Sequence, residues 1–221
     1  SNVSLLKDTL ERLPRSKKIV IIGHSKGALE SLIFALENKF FVRDHVEAMF
    51  LIQGPFLGSP IADYLVGRGR AVDERIPFFS RIFLHSAYYV LGTALSSEAL
   101  HSMTSHSIFN FWDARKTEIE ASPQDITEPI FFIRTHQDYR KMSFFIDESG
   151  RYLDTYYGSN DGLVMLEDQS LPSVGQTIAT LDDTDHADLM LPSPLSSKDK
   201  NYRIAFTHTL LWWLSSSSKK Y

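Results

Sequence analysis

The chain reads as an α/β protein, a mostly parallel sheet flanked by helices, with a helical insertion between its second and third strands. Three observations point there. Ile19-Val20-Ile21-Ile22 is a run of β-branched apolar residues, the pattern of a strand buried on both faces of a parallel sheet. Helix formers from Ala28 to Leu36 and a second apolar run, Val46–Ile52, follow at the spacing of a βαβ unit. Two further runs, at residues 129–134 and 176–181, continue the alternation, the last being more polar.

Before the first strand, Val3, Leu6, Leu10 and Leu13 recur at helical spacing, and Pro14 stops that helix. After it, Leu29, Leu32, Ile33 and Leu36 fall on one side of the next helix and face the sheet. Residues 61–122 change character. Aromatic and aliphatic side chains crowd Phe78, Phe79, Ile82, Phe83, Leu84, Tyr88 and Tyr89 with few strand signals, which predicts a helical cap over the strand ends. Ligand sites of open α/β sheets lie at those ends, so Phe78, Phe79, Ile82 and Phe83 are candidate substrate-binding residues; a plain core helix is the alternative. Phe144-Phe145-Ile146 and Arg151-Tyr152-Leu153, separated by Glu148-Ser149-Gly150, read as a small hairpin. Residues 202–214 read as a closing helix, followed by a solvated Ser-Lys tail.

The 221 residues are 43% hydrophobic, enough for one globular domain with a sizeable core. A formal charge of -4 with both signs interspersed argues against nucleic acid as a partner. Cysteine is absent, which excludes disulfides, a thiol nucleophile and thiolate-held metals. No apolar run reaches membrane-spanning length and no targeting segment is visible, so the compartment is open.

The chemistry centres on Gly23-His24-Ser25-Lys26-Gly27, a G-x-S-x-G pattern between strand and helix. That context is what a nucleophile elbow requires: a tight, strained turn lifts the serine hydroxyl clear of the strand end. Glycines on either side are expected where the helix and a substrate pass close to the serine. The Lys26 backbone N–H, at a helix N-terminus, is the candidate oxyanion donor. As an alternative, Ser25 is an ordinary helix N-cap.

A serine nucleophile needs a base, and the base needs an acid. In elbow-type folds these follow in the order Ser, Asp or Glu, His, on loops after later strands. Gly158-Ser159-Asn160-Asp161-Gly162 presents one carboxylate, and Asp182-Asp183-Thr184-Asp185-His186 presents an imidazole. His186 is the candidate base, with His136 as rival; Asp161 is the candidate acid, with Asp138 and Asp147 as alternatives. Asp183 and Asp185 are expected to support the histidine loop.

With Gly54-Pro55-Phe56-Leu57-Gly58-Ser59-Pro60, Asn160-Asp161-Gly162-Leu163-Val164, Asp185-His186-Ala187-Asp188-Leu189 and the cap-region Leu100-His101-Ser102-Met103-Thr104, the chain resembles the α/β-hydrolase superfamily, specifically bacterial triacylglycerol lipases and esterases. The resemblance implies catalytic Ser25, Asp161 and His186 and no cofactor or metal. Members of that group carry several strands and an HG-containing oxyanion loop before the nucleophile strand, where this chain has one helix. The resemblance thus implies that residues 1–221 are the C-terminal part of a single hydrolase domain, its sheet completed by an upstream segment, a homodimer or another polypeptide. The function read from these residues is hydrolysis of carboxylic esters with apolar acyl chains, with transient contact with a lipid surface. The same residues also suit an acyltransferase or thioesterase with the same triad, or a non-catalytic lipid- or partner-binding module.

Overall fold

A computed structural model describes residues 2–14, 16, 18–67, 97–121, 129–171 and 173–217. Helix α1 (Asn2–Glu11) leads to strand β1 (Ile19–His24), helix α2 (Lys26–Glu37), helix α3 (Lys39–His45) and strand β2 (Val46–Ile52). Helices α4 (Pro60–Leu65), α5 (Ser97–His101) and α6 (Ser105–Ala121) precede strand β3 (Ile130–Thr135). Helix α7 (Asp147–Tyr156), strand β4 (Gln176–Leu181) and helix α8 (Lys200–Ser217) complete the order.

The four strands form one sheet in the order β1-β2-β3-β4, with every neighbouring pair parallel. Parallel strands share one C-terminal edge, so the loops after β1, β2, β3 and β4 meet there. This places the serine turn and the histidine loop on the same side of the sheet.

Side chains alternate between two cores. On one face Ile21, Met49, Leu51 and Phe132 pack with Leu29, Leu32 and Leu36 of α2, and with Leu10 of α1. On the other, Phe50, Ile52 and Ile133 pack under α8, where the Trp213 ring stands 5.6 Å from Phe50 and 4.5 Å from Phe131. Each large apolar side chain buried this way contributes about 1.5–3 kcal/mol.

Two expectations change. First, β1 is buried on one face only. Val20 and Ile22 are 38% and 50% exposed. They pair with Ala48 and Phe50, whose side chains belong to the α8 core. That core is packed by α8 over β2, β3 and β4, and β1 lies beyond it at the edge. Second, the hairpin at residues 144–153 is helix α7. Ile146, Ser149, Gly150 and Leu153 are buried at helical spacing, and Asp147 and Glu148 occupy the first turn, where carboxylates oppose the helix dipole. Gly150 was no turn residue; a Cβ there would lie 2.3 Å from the Met142 sulfur, so the glycine lets helix and loop touch. Helix α3 is an addition, in residues that carried no helix signal of their own; Val42 is its buried anchor.

Candidate active site

Ser25 stands at the junction of β1 and α2 with φ 54° and ψ −126°. A non-glycine residue held there costs on the order of 1–3 kcal/mol, which the surroundings must offset. They do so through the backbone: Ser25 N–H donates to Ile52 O at 2.9 Å, and Ser25 O accepts from Ala28 N–H at 3.0 Å. Ser25 occupies the N-cap position of α2, but its side chain makes no cap hydrogen bond. Gly23 is required by close approach: a Cβ there would sit 2.8 Å from Ala28 Cα and 2.9 Å from Gly27 O. Gly27 is different, since a Cβ would meet nothing within 4 Å among the described residues. Its lack of a side chain is not forced by the turn.

Lys26 begins α2, so its backbone N–H has no carbonyl one turn back to bond. Its side chain pairs with Glu30, and burial lowers its ammonium from the ordinary value while Glu98 opposes that shift.

Asp161 and His186 come together. The His186 Nδ1 lies 2.8 Å from Asp161 Oδ2, with the carboxylate fully buried and the histidine 6% exposed. Asp161 Oδ1 accepts from the backbone N–H groups of Leu163 at 3.0 Å and Val164 at 2.8 Å. His186 N–H in turn donates to Asp161 O at 2.8 Å, so the two loops are tied by backbone as well as side chain. With Nδ1 engaged by the carboxylate, Nε2 is the nitrogen left for a reacting group.

The rivals are placed elsewhere. His136 Nε2 faces Asp182 at 2.9 Å, and that aspartate is an exposed surface group. Asp138 caps a short 3-10 turn and pairs with Arg140, and Asp147 bonds the Glu148 N–H at the start of α7. The expectation for the histidine loop holds for Asp185, whose Oδ2 accepts from Ser143 N–H at 2.6 Å and whose Oδ1 accepts from Ala187 N–H at 2.8 Å. Asp183 instead points outward and pairs with Lys141 at 3.0 Å.

Residues that carried no functional signal in the sequence pack behind these groups. The His24 ring lies 4.9 Å from the His186 ring. Its Nε2–H faces two acceptors, Gln53 Oε1 at 2.9 Å and His186 O at 3.2 Å. Burial, helped by the nearby His186, lowers His24 to about 4, so it is neutral at physiological pH. Gln53, fully buried and itself at φ 54°, donates through Nε2 to Thr135 Oγ1 at 2.5 Å and Asp185 O at 2.9 Å. The one hint of Gln53 in the sequence is a polar residue closing the apolar run of β2.

Ser25 and His186 open on one cavity of about 320 Å³. Its wall is mainly apolar, including Ile61 and Leu65 of α4, Leu100 of α5, Met103, Leu163 and Met190. The described parts of residues 61–122 therefore border the site. Phe78, Phe79, Ile82 and Phe83 lie outside the described residues. Among the described residues no group of His, Cys, Asp or Glu side chains is arranged to hold a metal ion, and no helix is long and apolar enough to cross a membrane.

Comparison with solved structures gives the fold its class. A metagenomic carboxyl esterase superposes with a TM-score of 0.69 at 19% identity, covering 98% of this chain and 61% of the esterase. The fold is that of the α/β hydrolases. A Bacillus licheniformis lipase in its mature form matches this hydrolase fold with a TM-score of 0.63 at 18% identity, over 95% of this chain and 71% of the lipase. A Staphylococcus hyicus lipase gives 0.55 at 16% identity, over 92% and 71%. The chain thus spans about three fifths of the length of the metagenomic esterase. A family described as Lecithin:cholesterol acyltransferase matches residues 3–87. No curated protein matches in sequence.

Proposed function

We propose that this chain carries the catalytic residues of a serine hydrolase that cleaves carboxylic esters with apolar acyl groups. The observation that carries the reading is the buried Asp161–His186 pair at 2.8 Å, bordering the same apolar cavity as a serine on a strained strand-to-helix turn.

In this mechanism the Ser25 Oγ attacks the ester carbonyl carbon as its proton passes to His186 Nε2. Asp161 holds the imidazole through Nδ1–H and stabilises the imidazolium. The carbonyl electron pair moves onto oxygen, and the Lys26 N–H at the start of α2 donates to that oxyanion. Collapse expels the alkoxide, which takes the proton from His186 and leaves as alcohol. Water then repeats the sequence on the acyl-enzyme and regenerates Ser25. Neutral His24 suits this cycle, because two adjacent imidazoles resist carrying charge together. The cavity receives the acyl chain, bordered from residues 61–122 by Ile61, Leu65, Leu100 and Met103. The ester chemistry named for the esterase and lipases of like fold supports the same class of substrate.

A fluorophosphonate probe tests this directly. Labelling is expected on Ser25 and is lost in Ser25→Ala and His186→Ala. Ester turnover falls with either substitution, and the double variant is no worse than either single one, because triad members act as a unit. Labelling that survives in Ser25→Ala ends the proposal; absence of labelling in the parent chain points to a binding module instead.

A further inference from the structure

We propose that Gln169 is a positioning residue for Asp161, holding the carboxylate in register with His186 from the buried side. This rests on the function proposed above. Gln169 is fully buried and ends a short 3-10 turn, Glu167–Gln169, that follows the Asp161 loop. Its amide is clamped to the end of β3 by two bonds: Oε1 accepts from Thr135 N–H at 2.8 Å, and Nε2 donates to Thr135 O at 3.0 Å. The remaining N–H lies 3.2 Å from Asp161 Oδ2 and 3.4 Å from Val164 O. The shorter of these contacts goes to the oxygen that also faces His186 Nδ1.

The chemistry leaves one orientation for the amide. Turned over, Oε1 would face the Thr135 carbonyl and the Asp161 carboxylate, and the Thr135 N–H would face an NH₂ group. A buried donor or acceptor left that way costs more than the bond it replaces. Strand β3 therefore fixes the amide, and the amide fixes Asp161 Oδ2. Leu163 and Val164 hold the other carboxylate oxygen. Asp161 is thus gripped at both oxygens by groups that do not move with substrate, and the orientation of His186 is inherited from the sheet.

A staple that merely holds the fold and a residue that positions the acid differ in what they change. Two near-isosteric variants separate them. Gln169→Leu removes every polar contact. Gln169→Met keeps only a weak acceptor, its thioether sulfur, near Thr135 N–H, removes the donor aimed at Asp161 without adding a charge, and serves if the leucine variant does not fold. Kinetics are normalised to sites titrated with the fluorophosphonate. Positioning predicts that kcat per site falls about 10- to 100-fold, the worth of a hydrogen bond to a charged group, while KM changes little. It also predicts that the acid limb of the rate profile moves to higher pH. Asp161 Oδ2, relieved of one donor, becomes a stronger partner for the charged imidazole. The other titratable groups close to His186, namely His24 against its ring and Asp185 behind its loop, are untouched by either substitution.

The downfield proton resonance of His186 Nδ1–H, read in the full chain, tests the same bond without turnover. It is expected to shift in both variants. Per-site kcat, acid limb and resonance all unchanged in a folded variant would overturn the proposal. A parent chain whose resonance responds to Gln169 but whose Ser25 neither labels nor turns over would instead overturn the hydrolase reading alone.

Discussion

His24 stores a pH dependence that is worked out from its surroundings. Its ring lies against His186 and gives its Nε2–H to Gln53 and to the His186 carbonyl, and burial lowers it from an ordinary 6.5 to about 4. An unfolded chain takes up a proton at this histidine as the pH falls through about 6.5. The folded chain refuses it until about 4. Between those values the unfolded state binds more protons, so stability falls as the pH falls. Each pH unit of that interval is worth about 1.4 kcal/mol, and the whole of it about 3 kcal/mol. The ring borders the water-accessible cavity on one side, which trims the expected loss to about 2 kcal/mol. The perturbation is His24→Gln, which keeps a donor for the Gln53 amide oxygen and does not titrate. Urea unfolding of parent and variant is measured at several pH values from about neutral to about 4.5. The parent should lose about 2 kcal/mol more than the variant over that range. Parallel stability curves would refute the reasoning, and would mean that the folded ring takes its proton as easily as the unfolded one.

Asp168 gives the opposite sign: burial, with Glu167 adding, pushes it up to about 6, so the folded chain keeps a proton that the unfolded chain loses near 3.8. Its burden is present above both values and absent below about pH 4; Asp168→Asn should therefore raise stability by about 1–2 kcal/mol at neutral pH and by nothing in acid, as read from thermal unfolding at both. The elbow glycines separate under one substitution. Gly23→Ala drives a Cβ into the backbone of α2 and should cost about 1–3 kcal/mol and abolish labelling of Ser25. Gly27→Ala meets no described atom within 4 Å and should leave stability equal or improved by up to about 1 kcal/mol, judged by urea unfolding.

The sequence by itself determined what local periodicity and turn chemistry control. The runs at residues 46–52, 129–134 and 176–181 are strands within a residue of the expected bounds; in the first two, consecutive apolar side chains have few other ways to be buried. The serine turn was legible because glycine, serine and a following helix are neighbours in the chain. The order of the loops narrowed the partners to Asp161 and His186, yet left His136, Asp138 and Asp147 open. Only the tertiary structure set those apart, by placing Asp161 and His186 at 2.8 Å and the rivals in surface pairs or helix starts. It also turned the supposed hairpin into α7, since Gly150 signals a turn locally but serves a contact with Met142. Val20 and Ile22 are exposed because α8 packs over β2, β3 and β4, and no pattern within the strand could foretell that reach. The polar framework of Gln53, Thr135 and Gln169 is the plainest case. Its bonds join residues 34 and 82 positions apart, and they have no period, no fixed spacing and no distinctive residue type. Hydrogen bonds of that kind are decided by which loops the parallel sheet brings to one edge, so they exist only once the chain is folded.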